Sequence, residues 1–226
     1  MKAKKIKRKE LSHASGPVKV HHKKNIQAVY PKWMPMLLVA ITFLALLPVL
    51  KADFVNWDDN DYVLDNILIR DLSNLDKILF SPLQGNYHPL TVLSLAFNYA
   101  ISGLEPWSYH LLNLLIHILN VFLVFKLIFK LTKGNNLIAF VTAILFGIHP
   151  MHVESVAWAS ERKDVLYAFF FLSGLITWLK YLDNKKQGWY AATLAMALFS
   201  MLSKPAAIIF PLALIFTTFI FCCFFA

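Results

Sequence analysis

Long apolar runs separated by short polar breaks organise this chain, and the polar positions inside them recur at helical spacing. The first clean run, Trp33 to Leu50, sits near the lower length limit for a membrane-crossing helix. It lies too deep in the chain, behind a long basic arm, to read as a signal peptide, so it is expected to be retained. Further crossing segments are predicted near 108–131, 136–150, 164–182, 188–203 and 205–225, the third and fifth of them short. The apolar segment 89–103 is too brief to cross and suits a helix lying at the membrane surface. The pattern predicts an all-α polytopic membrane protein with about six transmembrane helices plus a surface helix in the first outer loop.

Composition agrees, with 58% hydrophobic residues and a mean hydropathy of +0.56, which is too apolar for an ordinary soluble domain. Charge placement sets the orientation. Ten of the 22 Lys and Arg residues precede Pro35, Lys126, Lys130 and Lys133 close the second run, and Lys180, Lys185 and Lys186 follow the fourth. The positive-inside rule puts all three clusters in the cytoplasm, with residues 1–33 as a basic cytoplasmic arm. The loops 51–107, 151–163 and the Ser203-Lys204-Pro205 turn then face outward. The net charge of +9 is mostly the arm, which suits anionic lipid head groups rather than nucleic acid. Two adjacent cysteines, Cys222 and Cys223, imply no disulfide framework.

The polar residues carry the candidate chemistry. Residues 51–88 hold seven acidic side chains (Asp53, Asp58, Asp59, Asp61, Asp65, Asp71, Asp76) against Lys51, Arg70 and Lys77. Such a cluster at a membrane boundary suits handling of cations, protons or a hydroxyl nucleophile. Within the second run, His110, Asn113, His117 and Asn120 share one helical face, either as interhelical glue or as the lining of a site. The loop from His149 to Asp164 offers His149, His152 and Glu154, a trio able in principle to ligate a divalent metal without matching a fixed motif. Arg162 and Lys163 break the positive-inside trend on the outer side, so a phosphate there would explain them, as would local pairing with Glu161 and Asp164. Lys204 stands alone between two apolar runs, and His88 opens the surface helix where it would line the outer cavity.

Several stretches resemble one family in order along residues 54–211. They are Phe54-Val55-Asn56-Trp57-Asp58-Asp59, His88-Pro89-Leu90-Thr91-Val92-Leu93-Ser94, Pro106-Trp107-Ser108-Tyr109-His110-Leu111-Leu112-Asn113, the His149–Asp164 loop and Ser203-Lys204-Pro205. Together they resemble the opening of the transmembrane-and-TPR (TMTC-like) proteins, which are similar to GT-C glycosyltransferases and include protein O-mannosyltransferases. The resemblance implies a polyprenyl-phosphate-linked sugar donor, an acceptor protein and transfer on the non-cytoplasmic side. It implies a catalytic carboxylate at Asp58 or Asp59, and the departing phosphate would be met by Arg162, Lys163 or Lys204. His88, His110, Asn113, His149, His152 and Glu154 are expected around the cavity. No cofactor is named by the sequence, although a divalent metal is compatible with it.

Relatives of this kind carry TPR helix pairs with a period of about 34 residues, and no such repeat is visible here. With the chain ending inside an apolar run, the expectation is a partial module, the front of a transferase. Two other readings stand beside it: a non-catalytic membrane anchor or assembly protein, and a transporter component using His110 and His117 as a proton relay. The lack of secretory disulfides and of TPR repeats points the compartment towards a bacterial inner membrane.

Overall fold

The computed structural model describes residues 29–225, so the expected basic arm lies almost wholly outside the described residues. Among the described residues the chain is helical, with no strand beyond an isolated bridge between Leu83 and Asn86. Helix α1 (Trp33–Leu46) continues as a 3-10 turn to Lys51, tightened where Pro48 cannot supply an amide to the ladder. Short helical turns, including α2 (Leu75–Phe80), carry the acidic loop to α3 (Pro89–Ser102). Then come α4 (Pro106–Leu131), α5 (Asn136–Ile148), α6 (Met151–Ala157), α7 (Arg162–Asn184), α8 (Gln187–Ser203) and α9 (Phe210–Phe225).

Prolines set the breaks. Pro89 and Pro106 open α3 and α4 at the first helical position, where the missing amide costs nothing. His149 precedes Pro150 and is pushed to an extended backbone, so α5 and α6 are bent by 59°. Lys204 precedes Pro205 and is extended for the same reason, which ends α8.

The expected spans recur as helices of unequal length. Four segments are long and apolar enough to cross a membrane: Trp33–Lys51, Pro106–Leu131, Arg162–Asn184 and Pro205–Cys223. A fifth exists if bent α5 and α6 count as one span. Helix α8, with 17 residues, falls short by length, since its rise is about 25 Å. Its packing nevertheless makes it a full return stroke, because it starts beside the end of α7 while Lys204, just past its end, pairs with Asp164 in the first turn of α7.

The helices run antiparallel in sequence. Tyr30, ahead of α1, packs on Phe125 and Phe129 late in α4, whereas Leu46 near the end of α1 meets Leu114 and Ile118. The His117 ring bonds the Gly147 carbonyl (3.0 Å) at the far end of α5. Asn120 donates to the Val165 carbonyl (2.8 Å), and Lys130 pairs with Asp183, so α7 runs parallel to α4. Gly147 permits the closest approach. A Cβ there would lie 2.6 Å from Thr42 Oγ1 and 3.0 Å from Val121 Cγ2, so α1, α4 and α5 meet only because the side chain is missing.

Two ends result. Lys126, Lys130 and Lys180 gather at one, while residues 52–105, the 149–161 stretch and Lys204 gather at the other, called here the loop end. The loop end has its own core of Tyr62, Val63, Ile69, Ile78, Val92, Leu95, Ala96, Tyr109 and Ala159. The buried face of α3 belongs to it, and Thr91 Oγ1 donates to the Ser203 carbonyl (2.9 Å), tying α3 to the end of α8. The segment expected as a surface helix is thus folded onto the loop end, leaving Phe97 and Ile101 exposed.

Candidate active site at the loop end

The adjacent carboxylates Asp58 and Asp59 do different jobs. Asp59 is buried, and both its oxygens are filled by backbone amides: Oδ2 accepts from Val55 (2.9 Å) and Oδ1 from Ser160 (2.8 Å). It staples the first loop to the segment that precedes α7. Asp58 is half-buried, and its Oδ2 lies 2.9 Å from Lys163 Nζ.

That contact begins an alternating row. Lys163 Nζ is also 2.9 Å from Glu161 Oε1, Glu161 Oε2 is 4.0 Å from Lys204 Nζ, and Lys204 pairs with Asp164. Three carboxylates therefore face two ammonium groups. Burial raises the Glu161 carboxyl above its ordinary range, opposed by Lys163 and reinforced by Asp164.

A cavity of about 310 Å³ opens beside this row, lined by Tyr62, Asn86, His88, Lys163, Lys204, Pro205 and Ala206. The His88 and Tyr62 rings stack at 5.2 Å with a 17° tilt, and Lys163 Nζ sits 5.0 Å over the Tyr62 ring. Burial raises the Tyr62 hydroxyl's pKa, with Lys163 pulling it back. His88 is 3% exposed, and its pKa falls to about 4, first through burial and then through the cations Lys163 and Lys204. It is neutral at physiological pH.

The sign of the resulting pH dependence follows from the lowered value. Between about 6.5 and about 4 the unfolded chain binds a proton at His88 that the folded chain refuses. The stability contributed by His88 is complete above about 6.5 and is lost as pH falls through about 4. Glu161, raised instead, works in the opposite direction, so the comparison must be differential. Melting curves are expected to show the unaltered protein losing stability relative to His88→Phe as pH drops through this window.

A second cavity of about 420 Å³ is lined in part by His117, Asn120, Phe146, His152, Asp164 and Tyr167. Lys204 borders both cavities.

The remaining sequence candidates separate cleanly. Arg162 is fully buried and points into the protein, away from both cavities. Its Nε donates to Asn113 Oδ1, and one terminal nitrogen donates to Asn98 Oδ1 (3.0 Å) and the Tyr109 carbonyl (3.1 Å). Asn113 is half of this hub and also donates to the Trp158 carbonyl (2.7 Å). His110 is buried against Phe54 and lines neither cavity. Of the α4 stripe, Asn113 ties helices together and His110 packs on Phe54, whereas His117 and Asn120 border the second cavity. His152 reaches that cavity, whereas His149 and Glu154 are exposed and reach neither. Among the described residues no three His, Cys, Asp or Glu side chains are placed to hold a metal ion, so the His149/His152/Glu154 trio does not assemble.

Sequence reasoning missed Tyr62 and Asn86. Tyr62 lay inside the acidic stretch that drew attention to Asp58, and Asn86 lay two residues before His88. Neither carries a charge; the stack on His88 reveals Tyr62, and the shared cavity wall reveals Asn86.

Similarity to known proteins agrees with the geometry. The sequence profile of the dolichyl-phosphate-mannose-protein mannosyltransferases matches residues 87–223, well over half of the chain. Protein O-mannosyl-transferase TMTC2 of Mus musculus is 34% identical over 144 residues, covering 60% of this chain and 17% of that protein. Protein O-mannosyl-transferase Tmtc1 of Drosophila melanogaster is 32% identical over 179 residues, covering 75% of this chain and 21% of that protein. Protein O-mannosyl-transferase TMTC3 of Homo sapiens is 37% identical over 95 residues, covering 42% and 10%. The chain thus spans about a fifth or less of these relatives' length. They are animal proteins and lend no support to a bacterial inner membrane, while an integral membrane protein is what they and the apolar helices support. No solved structure matches. With its apolar helices, its loop-end cluster and a profile match across more than half its length, the chain belongs to the dolichyl-phosphate-mannose-protein mannosyltransferase family and is TMTC-like.

Proposed function

We propose that this chain is the membrane module of a transferase moving a sugar from a polyprenyl-phosphate carrier to a protein Ser or Thr hydroxyl on the non-cytoplasmic face. The sugar is the mannose that the relatives' names specify. The observation that carries this reading is the row Asp58–Lys163–Glu161–Lys204, whose two lysines line one cavity while Asp58 stands behind Lys163. A carboxylate stands at one end and a cation at the other, as a displacement between hydroxyl and phosphate requires.

In this reading the acceptor oxygen bonds to the anomeric carbon while the bond from that carbon to the phosphate oxygen breaks. The hydroxyl proton goes to Asp58, and the bonding electron pair leaves with the phosphate. Lys204, with Lys163, holds that phosphate, and Glu161 spaces the two ammonium groups. Asp59 keeps the loop in register. Arg162, assigned to the phosphate by sequence, instead fixes the start of α7 and so aims Lys163 at the cavity. The lysines at the opposite end of the bundle support a cytoplasmic placement for that end, which puts the cavity outside.

Carrier binding is the test. Lys204→Met is expected to weaken binding of polyprenyl phosphate to the protein in lipid nanodiscs roughly tenfold or more, the scale of a charge-assisted hydrogen bond. Unchanged affinity in Lys204→Met and in Lys163→Met would remove the phosphate from this cavity.

A further inference from the structure

We propose that the 310 Å³ cavity seats the sugar ring of the carrier-bound donor, and that His88 is the side chain that reads one of its hydroxyls. This rests on the transferase reading and deepens it.

His88 Nε2 is buried and has no hydrogen-bond partner, although the His88 side chain lines an open cavity. A buried polar atom without a partner is costly, so an unpartnered nitrogen on a side chain that lines a cavity points to a ligand group nearby. The Tyr62 stack fixes the ring, so Nε2 keeps its direction when the cavity is empty. A neutral imidazole presents one N–H and one lone pair, which suits a hydroxyl, a group that both donates and accepts. Phosphate is drawn to the ammonium groups instead, leaving His88 for the uncharged part of the donor.

The other walls fit a pyranose. Asn86 adds a polar group, while Tyr62, Pro205 and Ala206 offer apolar surface for the C–H faces of a ring. The volume lies at the small end of ligand cavities, right for one ring without its lipid. The position suits the chemistry as well. The cavity touches Lys163, which holds Asp58, and Lys204, so a ring within it has the base towards one side and the phosphate cation towards the other.

The experiment compares two probes on the full chain in nanodiscs: a short polyprenyl phosphate and the same carrier bearing mannose. The mannosylated carrier is expected to bind about tenfold more tightly, the worth of a good buried hydrogen bond. His88→Phe retains a flat ring to stack on Tyr62 and is expected to erase this difference while leaving bare-carrier affinity unchanged. His88→Gln returns a polar atom and is expected to restore part of it. A tenfold preference surviving in His88→Phe overturns the assignment, and so does equal weakening of both carriers, which would mark His88 as structural. Binding of neither carrier to the unaltered protein would overturn the transferase reading itself.

Discussion

Under the proposed transfer reaction, Asp58→Asn is expected to lower mannosyl transfer by about two to four orders of magnitude, the usual contribution of a positioned general base. Membrane insertion and polyprenyl phosphate affinity should persist, because Asp58 holds no helix in place. Its side chain meets Lys163, which keeps Glu161 as a partner after the change. Asn preserves the shape and removes only the capacity to take a proton. The neighbouring carboxylate predicts a different phenotype. Asp59→Asn replaces one acceptor oxygen with a donor facing the amide of Val55 or Ser160, so it should lower the melting temperature together with activity. Transfer measured alongside thermal unfolding separates the two. An active Asp58→Asn protein, or a transfer-dead Asp59→Asn protein of unaltered stability, would reverse the assignment.

The second large effect belongs to Arg162. Arg162→Met removes the donor for Asn113 Oδ1, Asn98 Oδ1 and the Tyr109 carbonyl, all in buried surroundings. The two Asn oxygens are left without a donor at about 1–3 kcal/mol each, so a loss of about 2–6 kcal/mol is expected. That is a large share of the stability of an ordinary domain, about 5–15 kcal/mol. Folded yield in detergent should collapse, while Lys163→Met, one residue along, should fold normally and fail at the carrier. A variant melting at the wild-type temperature would show that the hub does not hold α3, α4 and α7 together.

The contrast between Arg162 and Lys163 shows what the sequence made legible. Their shared departure from the positive-inside pattern marked the right stretch of chain. Successive residues on a helix diverge by about 100°, so only the start of α7 decides which cation turns inward. Asp58 and Asp59 pose the same problem in a loop, where no periodicity resolves it. The long runs that became α1, α4, α7 and α9 were readable because apolar length is itself the constraint in a bilayer. Helix α8 was harder, since its return stroke is set by its packing along α7 rather than by its hydropathy. The fate of 89–103 was partly readable: Pro89 and the apolar length gave a helix, but its union with the loop-end core comes from Thr91 bonding Ser203, 112 positions away in the chain. The histidines of α4 carried a strong pattern whose meaning was split, with His117 at a cavity and His110 sealed against Phe54.

The most direct test of the account is transfer itself. The chain in nanodiscs, given polyprenyl phosphate carrying tritiated mannose and a Ser/Thr-containing peptide, should place label on the peptide, and Asp58→Asn should reduce that label to background. Equal labelling by both proteins, or no labelling by a wild-type chain that binds the carrier, would contradict the placement of the reaction at the Asp58–Lys163–Glu161–Lys204 row.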